Sequence, residues 1–372
     1  MSEQILKCID KKKSKIIYKN LSRSISYYGY PLDILKSAVQ KYLRRREFEK
    51  MIWVVAEIYL FQLFPEKKGI FPIRNIMTNL LNRIIIMLDE EMVFTECTKY
   101  LLVRDYMDDF EKTDRSDFSC LYKICKILST SKMIRRNEDI RGFWDDERRC
   151  DLVTNPVTNS VTNSVTNLDV TMETDDYYFQ RFKDCFEKKD STCFKWMFKI
   201  FNKKEEGNVT RFRSKENIYM IWKYLFSRKN IKENEQLRKC LLYRLLEFKK
   251  KNRSERFIFL TAAIDITINM GNTVENKVEN TWFMTCAKSK VDKIKQIKKN
   301  YDEKYTEKEV IQLVFNNRKK LIIDDYAIDM HTLTGRQMGK NKKDFIDFGS
   351  VVIREDKEYF VKEWRDVYNN IY

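Results

Sequence analysis

Apolar residues recur along this chain at helical spacing, and the residues that interrupt helices are scarce. The 372 residues include 8 glycines and 4 prolines. Behind Pro31, apolar side chains recur every three or four positions over 32–43, and a second run covers 48–64. This spacing places them on one face of a helix. The sequence therefore predicts an all-α fold built from packed helical hairpins.

The same periodicity predicts helices along most of the remaining chain. They fall at 73–88, 96–110, 118–128, 136–149, 178–186, 194–200, 217–226, 234–248, 255–270, 281–299, 308–315 and 357–368. Only Ser350–Ile353 has the β-branched character of a strand.

A tandem repeat, VTNPVTNSVTNSVTN, occupies residues 153–167. It has no helical periodicity and no large side chain to bury, which predicts a disordered linker over 151–174. We therefore expect two helical domains, at 1–150 and 175–372. Leu43 to Trp53 and Phe186 to Trp196 have the same separation around a charged turn. This match indicates either a duplicated hairpin or a chance alignment of two amphipathic hairpins.

The charge balance favours an anionic partner. Lys and Arg number 72 against 55 Asp and Glu, which gives a formal net charge of +17. Such a surplus attracts phosphate backbones through steering and counterion release, so nucleic acid, above all DNA, is the expected partner. The alternative interpretation is the lysine-rich coding bias of an AT-rich genome.

Two basic clusters are candidates for phosphate contact. Arg44, Arg45 and Arg46 lie at the tip of the first hairpin, and Arg135 and Arg136 form a second cluster. Adjacent arginines at a turn project in different directions, so at least one is expected to reach a phosphate. The alternative is an ordinary solvated turn.

The loop 329–343 contains the only histidine of the chain and two of its glycines. We predict a contact site made by Asp329, His331, Thr332, Gly335 and Gly339, with positive charge from Arg336, Lys340, Lys342 and Lys343. Asp329 would orient the imidazole of His331, and the glycines would let the backbone approach a ligand. In the alternative, Asp329 and His331 form a buried cap that ties the predicted helix 357–368 to the core.

The residues indicate no enzyme. The nine cysteines contain no C-x-x-C pair, and no Ser/His/Asp or Cys/His arrangement is present. Gly335–Asn341 is one residue too short for a P-loop and lacks its hydroxyl. We therefore expect no catalytic residue, no metal and no cofactor.

A metal-dependent nuclease is kept as a third, weaker hypothesis. Its ligands would come from Asp324, Asp325, Asp329, His331, Asp344 and Asp347.

No apolar run approaches the length of a membrane span, and the first fifteen residues lack the apolar core of a signal peptide. The expected location is intracellular, in cytoplasm or nucleus, and in a host cell if the protein is viral. No membrane partner is expected.

The hairpin LKSAVQKYLRRREFEKMIWVVAEI, residues 35–58, resembles the helical region that follows the ATPase module in MgsA/RarA-type proteins, the Werner-helicase-interacting AAA+ family. Residues 81–91 and 121–141 resemble later helices of the same region, so the likeness covers about 25–145. The chain has Arg46-Glu47 where that family has a glycine.

This resemblance implies a helical region that contacts DNA and forms oligomers, without the ATPase module of the family. The expected function is then a non-catalytic DNA-binding accessory protein of replication, recombination or repair, as a homo-oligomer or with a replication-protein partner. The alternative is a structural, packaging or minor shell protein of a large DNA virus.

Overall fold

The described part of the chain is mostly helical. A computed structural model describes residues 2–9, 16–17, 24–63, 73–92, 97–131, 133, 137, 140, 175–202, 218–251, 253–269, 307–316 and 318–352. Within these residues there are helices and isolated β-bridges but no strand, which confirms the all-α prediction.

Several predicted elements lie outside the described residues: the linker 151–174, the helices 281–299 and 357–368, and nearly all of 136–149. The predicted strand at Ser350–Ile353 is wrong for its described part. The Ser350 N–H instead closes a turn by donating to the Phe345 carbonyl at 2.7 Å.

The described residues form two compact units that do not follow chain order. Unit 1 takes those of Met1–Ile134 and Glu279–Glu355, and unit 2 takes those of Arg135–Val278. The expected second domain, 175–372, is therefore divided. Its described residues 307–352 group with the amino-terminal helices.

Unit 1 is built on two hairpins. Its first helices are α1 (Ser2–Cys8), α2 (Leu32–Arg44), α3 (Phe48–Leu63), α4 (Ile73–Glu90), α5 (Cys97–Lys112) and α6 (Phe118–Ser129). Helices α2 and α3 pack against each other, as do α5 and α6, and α3 also contacts α4 and α6. The core is formed by apolar faces such as that of Leu35, Val39 and Tyr42, each fully buried.

Local sequence signals set several helix ends in unit 1. Pro31 precedes α2 with φ −60°, a value that suits entry into a helix. Asp117 caps α6 by accepting a hydrogen bond from the Ser119 N–H.

Unit 2 repeats the hairpin architecture. Its described helices are α7 (Asp175–Glu187), α8 (Cys193–Asn202), α9 (Ile218–Ser227), α10 (Lys229–Glu233), α11 (Glu235–Lys250) and α12 (Arg253–Asn269). Helix α7 packs on α8, and α11 packs on α12. Asn234 caps α11 by accepting from the Leu237 N–H.

The turns after α2 and α7 have the same backbone geometry. Arg46 has φ 58° and Lys189 has φ 57°. The Glu47 N–H donates to the Tyr42 carbonyl at 2.9 Å, and the Asp190 N–H donates to the Cys185 carbonyl at 2.8 Å. Both are left-handed helix endings of the kind that glycine usually provides. Arg46 and Lys189 therefore form these turns without a glycine.

Candidate nucleic-acid interface

Residues 318–350, called here the returning segment, lie along α2 and α3 of unit 1. The segment follows α13 (Glu307–Ile311) and a π-helical turn, Gln312–Asn316. It contains a 3-10 turn, Asp325–Ala327, a short helix α14, Leu333–Gln337, and a π-helical turn, Phe345–Gly349. Most predicted site residues belong to this segment or to the α2–α3 turn that it contacts.

Arg318 fixes the start of the returning segment to α3. Its guanidinium lies 4.2 Å from the centre of the Trp53 ring, and Nη2 is 2.7 Å from Oε2 of Glu57. The other Glu57 oxygen accepts from the Tyr28 N–H at 2.6 Å. The Trp53 indole N–H donates to the Lys319 carbonyl at 2.9 Å. Because both Arg318 and Glu57 have buried side chains, this contact is a desolvated, hydrogen-bonded ion pair.

Charged and aromatic contacts continue the attachment beside the α2–α3 turn. Lys50 Nζ lies 2.9 Å from Oδ2 of Asp324. The Tyr326 hydroxyl donates to Glu47 at 2.8 Å, and the Arg45 guanidinium covers the Tyr326 ring at 3.7 Å. Cation–ring contacts of this kind orient an arginine against the protein.

Lys41 and Asp329 form a second buried ion pair. Lys41 Nζ is 2.5 Å from Asp329 Oδ2, and each residue is 3% exposed. Phe345 covers the site, with its ring centre 5.5 Å from Lys41 Nζ and 4.8 Å from the His331 ring centre. Burial lowers the pKa of Lys41 to about 8, against the charge of Asp329. The lysine therefore remains charged at neutral pH.

Asp329 also contacts His331, two residues further along the chain. Its Oδ1 accepts from the His331 N–H at 2.9 Å and lies 3.3 Å from His331 Nδ1, close enough to orient the imidazole. Burial raises the pKa of Asp329, but the hydrogen bonds of His331 and the charge of Lys41 outweigh it and hold that pKa well below its usual range. Asp329 is buried, whereas the His331 side chain is 58% exposed. His331 is therefore not part of a buried cap, whereas Asp329 is buried with Lys41 of α2 as its partner. The helix 357–368, which the predicted cap would tie to the core, lies outside the described residues.

Arg44 does not project from the hairpin tip as the sequence analysis expected. It is 2% exposed, and its Nε lies 2.8 Å from Oε1 of the fully buried Glu91. The same oxygen accepts from Gln40 at 2.9 Å, and Arg44 Nη1 donates to the Gly349 carbonyl at 3.0 Å. The reason is that Arg44, at the end of α2, lies on the face that packs towards α4. Its guanidinium therefore pairs with the buried carboxylate of Glu91 and does not reach solvent.

Arg45 and Arg46 are partly buried and face the protein. Arg45 donates to the Phe348 carbonyl, in addition to covering Tyr326. Arg46 donates to the Ser131 carbonyl at 3.3 Å. The tip arginines thus join the hairpin to neighbouring segments. Arg135 and Arg136 lie outside the described residues.

The two glycines of the loop have structural reasons within the chain. A Cβ at Gly335 would lie 1.9 Å from the Asp329 carbonyl oxygen. The glycine therefore lets two parts of the returning segment, at 329 and 335, pack backbone against backbone. The buried Thr332 hydroxyl donates to the same carbonyl and accepts from the Gly335 N–H, both at 2.9 Å. Gly339 has φ +77°, a left-handed conformation that favours glycine. Gly335 therefore serves a close internal approach, where the sequence analysis expected a ligand.

Three of the predicted cations face solvent. Arg336, Lys342 and Lys343 are exposed, and no carboxylate of the described residues forms an ion pair with any of them. Lys340 instead pairs with Asp325. We call Arg336, Lys342 and Lys343 the basic surface of the returning segment.

The carboxylates of the nuclease hypothesis are used separately. Asp324, Asp325 and Asp329 pair with three different lysines, and Asp344 caps its own short helix by accepting from the Asn341 N–H at 2.8 Å. Across the described ranges, no group of three His, Cys, Asp or Glu side chains is arranged to hold a metal ion.

Four residues central to this site were missed by the sequence analysis: Lys41, Glu57, Glu91 and Arg318. A signal existed for Glu57, because it is a single carboxylate inside the apolar run of α3. Lys41 likewise lies among buried positions of α2. A charge at a core position of a helix indicates a buried partner, although its spacing does not say which one.

No family model, curated protein or solved structure matches this chain. Among the described helices, none combines the length and apolarity needed to cross a bilayer.

Proposed function

We propose that this protein is a non-catalytic nucleic-acid-binding protein whose returning segment contacts phosphates. The observation that carries the proposal is the basic surface: Arg336, Lys342 and Lys343 are exposed and without ion-pair partners among the described residues, on a chain of net charge +17. Buried ion pairs at Arg318 and Asp329 hold the segment on helices. Cations on a segment that is already held in place lose less conformational entropy on binding a phosphate backbone than cations on a free tail.

The narrower proposal is a DNA-binding accessory protein of replication, recombination or repair. The resemblance of residues 25–145 to the helical tail of MgsA/RarA-type proteins supports it. In this proposal the tip arginines Arg44, Arg45 and Arg46 support the fold, while phosphate contact falls to the basic surface.

A second candidate function is that of a structural or packaging protein, and one observation favours it. Met338, Ile346 and Phe348 are 55%, 54% and 58% exposed on the same segment as the basic surface. Exposed apolar side chains of this size are typical of surfaces that contact protein.

The test is fluorescence anisotropy with labelled duplex DNA at two salt concentrations. We compare the parent with Arg336→Gln/Lys342→Gln/Lys343→Gln. The matched control is Lys223→Gln/Lys232→Gln/Lys249→Gln, which removes as many exposed positive charges from unit 2. Loss of phosphate contacts lowers the salt slope by about 0.9 for each contact. We expect a reduced slope and weaker binding for the first variant alone.

Equal effects of the two triple variants would show that binding follows net charge and not this surface. Absence of salt-dependent binding by the parent would contradict the proposal and favour the structural or packaging role.

A further inference from the structure

The hairpin of α7 and α8 carries a partly exposed group of rings and cations that the proposed function does not use. Tyr177 is 44% exposed, and its ring centre lies 5.9 Å from that of Trp196 at an interplanar angle of 89°. Tyr178 lies 6.0 Å from Trp196 at 30°. Three rings thus meet at the surface of unit 2, next to the start of α7.

Two cations lie over these rings. The Arg181 guanidinium is 5.3 Å from the centre of the Trp196 ring. Lys199 Nζ is 5.3 Å from the same centre and 5.6 Å from that of Tyr178. Within the described residues, no carboxylate forms an ion pair with Arg181 or Lys199. We call Tyr177, Tyr178, Arg181, Trp196 and Lys199 the Trp196 cluster.

Unit 1 has a tryptophan, Trp53, at the position of its hairpin that corresponds to Trp196. Trp53 and Trp196 each lie seven residues after the left-handed residue of the turn, Arg46 or Lys189. Trp53 receives a cation from the returning segment, Arg318, and that cation is neutralised by Glu57, four residues after Trp53.

The Trp196 cluster has no carboxylate at the position that corresponds to Glu57. Four residues after Trp196 stands Ile200, which offers no carboxylate for an incoming arginine. Arg181 and Lys199 already supply the cations. The cluster therefore suits a partner that has a planar ring and a negative charge, and disfavours a basic peptide.

We propose that the Trp196 cluster binds single-stranded nucleic acid. A base stacks on the exposed face of the Tyr177 ring, to which the Trp196 ring is perpendicular, while Arg181 and Lys199 contact the adjacent phosphates. A base can stack on a side chain only when it is unpaired, and aromatic platforms with flanking cations bind single strands in this way. The inference rests on the proposed function for the class of ligand, but it names a different surface and a different strand state.

The experiment measures anisotropy of labelled oligo-dT, oligo-U and a duplex of equal length with the full chain. Tyr177→Leu removes the ring on which the base stacks, Trp196→Leu removes the ring that holds Tyr177 and both cations, and Arg181→Gln removes a phosphate contact. Tyr243→Leu, on a partly exposed tyrosine of α11, is the matched control. Loss of one stacked base weakens single-strand binding about tenfold. Arg181→Gln lowers the single-strand salt slope by about 0.7.

Duplex binding should change less than twofold in the cluster variants, and circular dichroism should be unchanged. Tyr177 and Arg181 are exposed, so their variants keep the test decisive if Trp196→Leu impairs folding. Unchanged single-strand affinity in the Tyr177 and Arg181 variants overturns this inference alone, because duplex binding through the basic surface would persist. A parent that binds neither strand state overturns both proposals. Binding of an acidic peptide but no oligonucleotide would assign the cluster to a protein partner instead.

Discussion

At the scale of single residues, the Lys41–Asp329 pair takes two charges out of water where α2 meets the returning segment. Both side chains are 4% exposed, and burial lowers the pKa of the lysine to about 8. Each buried charge is stabilised by the opposite charge of its partner. A neutral side chain of different shape at either position would leave the other charge unpaired. Removal of one partner from such a pair is far more damaging than replacement of both by apolar residues.

Asp329→Asn should destabilise unit 1 by about 3–5 kcal/mol, because Lys41 must then either keep a buried charge without its carboxylate or give up its proton on folding. Lys41→Met/Asp329→Leu should recover most of this loss. Urea unfolding followed by circular dichroism measures both. His331→Ala is the control, and because that side chain is 58% exposed, it should change stability by about 0.5 kcal/mol or less.

The same pair gives the sign of an acid dependence. The pKa of Asp329 is lower in the folded chain than its value of about 3.9 in an unfolded chain. Its contribution is therefore complete above about pH 5 and is lost progressively as the pH falls through the unfolded and then the folded pKa. The double variant Lys41→Met/Asp329→Leu should lose less stability between pH 5 and pH 3 than the parent. A parallel loss in both chains would contradict a stabilising pair.

At the scale of elements, both units close a hairpin with a non-glycine residue in the left-handed region. Such a residue costs roughly 1–2 kcal/mol in its backbone conformation, a cost that glycine avoids. Arg46 also uses its side chain, which donates to the Ser131 carbonyl. Lys189 is exposed, so it tests the backbone more cleanly.

Lys189→Gly should raise the stability of unit 2 by about 1 kcal/mol, because φ 57° is relaxed for glycine. Lys189→Ala removes the side chain but keeps the Cβ, so the difference between the two variants isolates the backbone. Thermal and urea unfolding measure it. A glycine variant no more stable than the alanine variant would mean that this turn stores no such strain.

Periodicity predicted the elements well, and the turns and contacts less well. For α2, α3, α5, α6 and α11, the predicted ends lie within two residues of those observed. Helix spacing is local, so the sequence contains it directly. The left-handed turns lacked their usual glycine, and the buried partners of Lys41 and Arg44 are 288 and 47 residues away along the chain. Spacing within one helix carries no information about either partner.

The candidate site was predicted by composition more than by geometry. The loop at 329–343 was selected because short polar residues and glycines indicate a close approach of the backbone. The approach proved to be internal at Gly335, where the Asp329 carbonyl occupies the space of a Cβ. The nucleic-acid role of Arg336, Lys342 and Lys343 stays a prediction.

At the scale of the whole molecule, unit 1 is assembled from distant parts of the chain. In the sequence, the described residues of unit 2 lie between α3 and the returning segment, yet the side chains of the returning segment complete the buried ion pairs of α2 and α3. The proposed phosphate contacts therefore depend on a fold that needs both ends of the chain. A domain boundary drawn at the VTN repeat would separate the basic surface from the helices that support it.

This arrangement predicts that a cut within 151–174 does not release the two fragments. A specific protease site placed in the VTN repeat would give an amino-terminal fragment with α2 and α3 and a carboxy-terminal fragment with the returning segment. The fragments should co-elute in size-exclusion chromatography at micromolar concentration, because the Arg318–Glu57 and Lys41–Asp329 pairs bury charges that neither fragment alone can neutralise.

In Arg318→Ala/Asp329→Ala, Glu57 and Lys41 lose their partners, and the cut chain should separate or aggregate. The uncut double variant serves as the control for general unfolding. Separation of the cut parent under native conditions would show that the returning segment does not hold unit 1 together, whereas co-elution of the cut double variant would assign the association to contacts other than these two ion pairs.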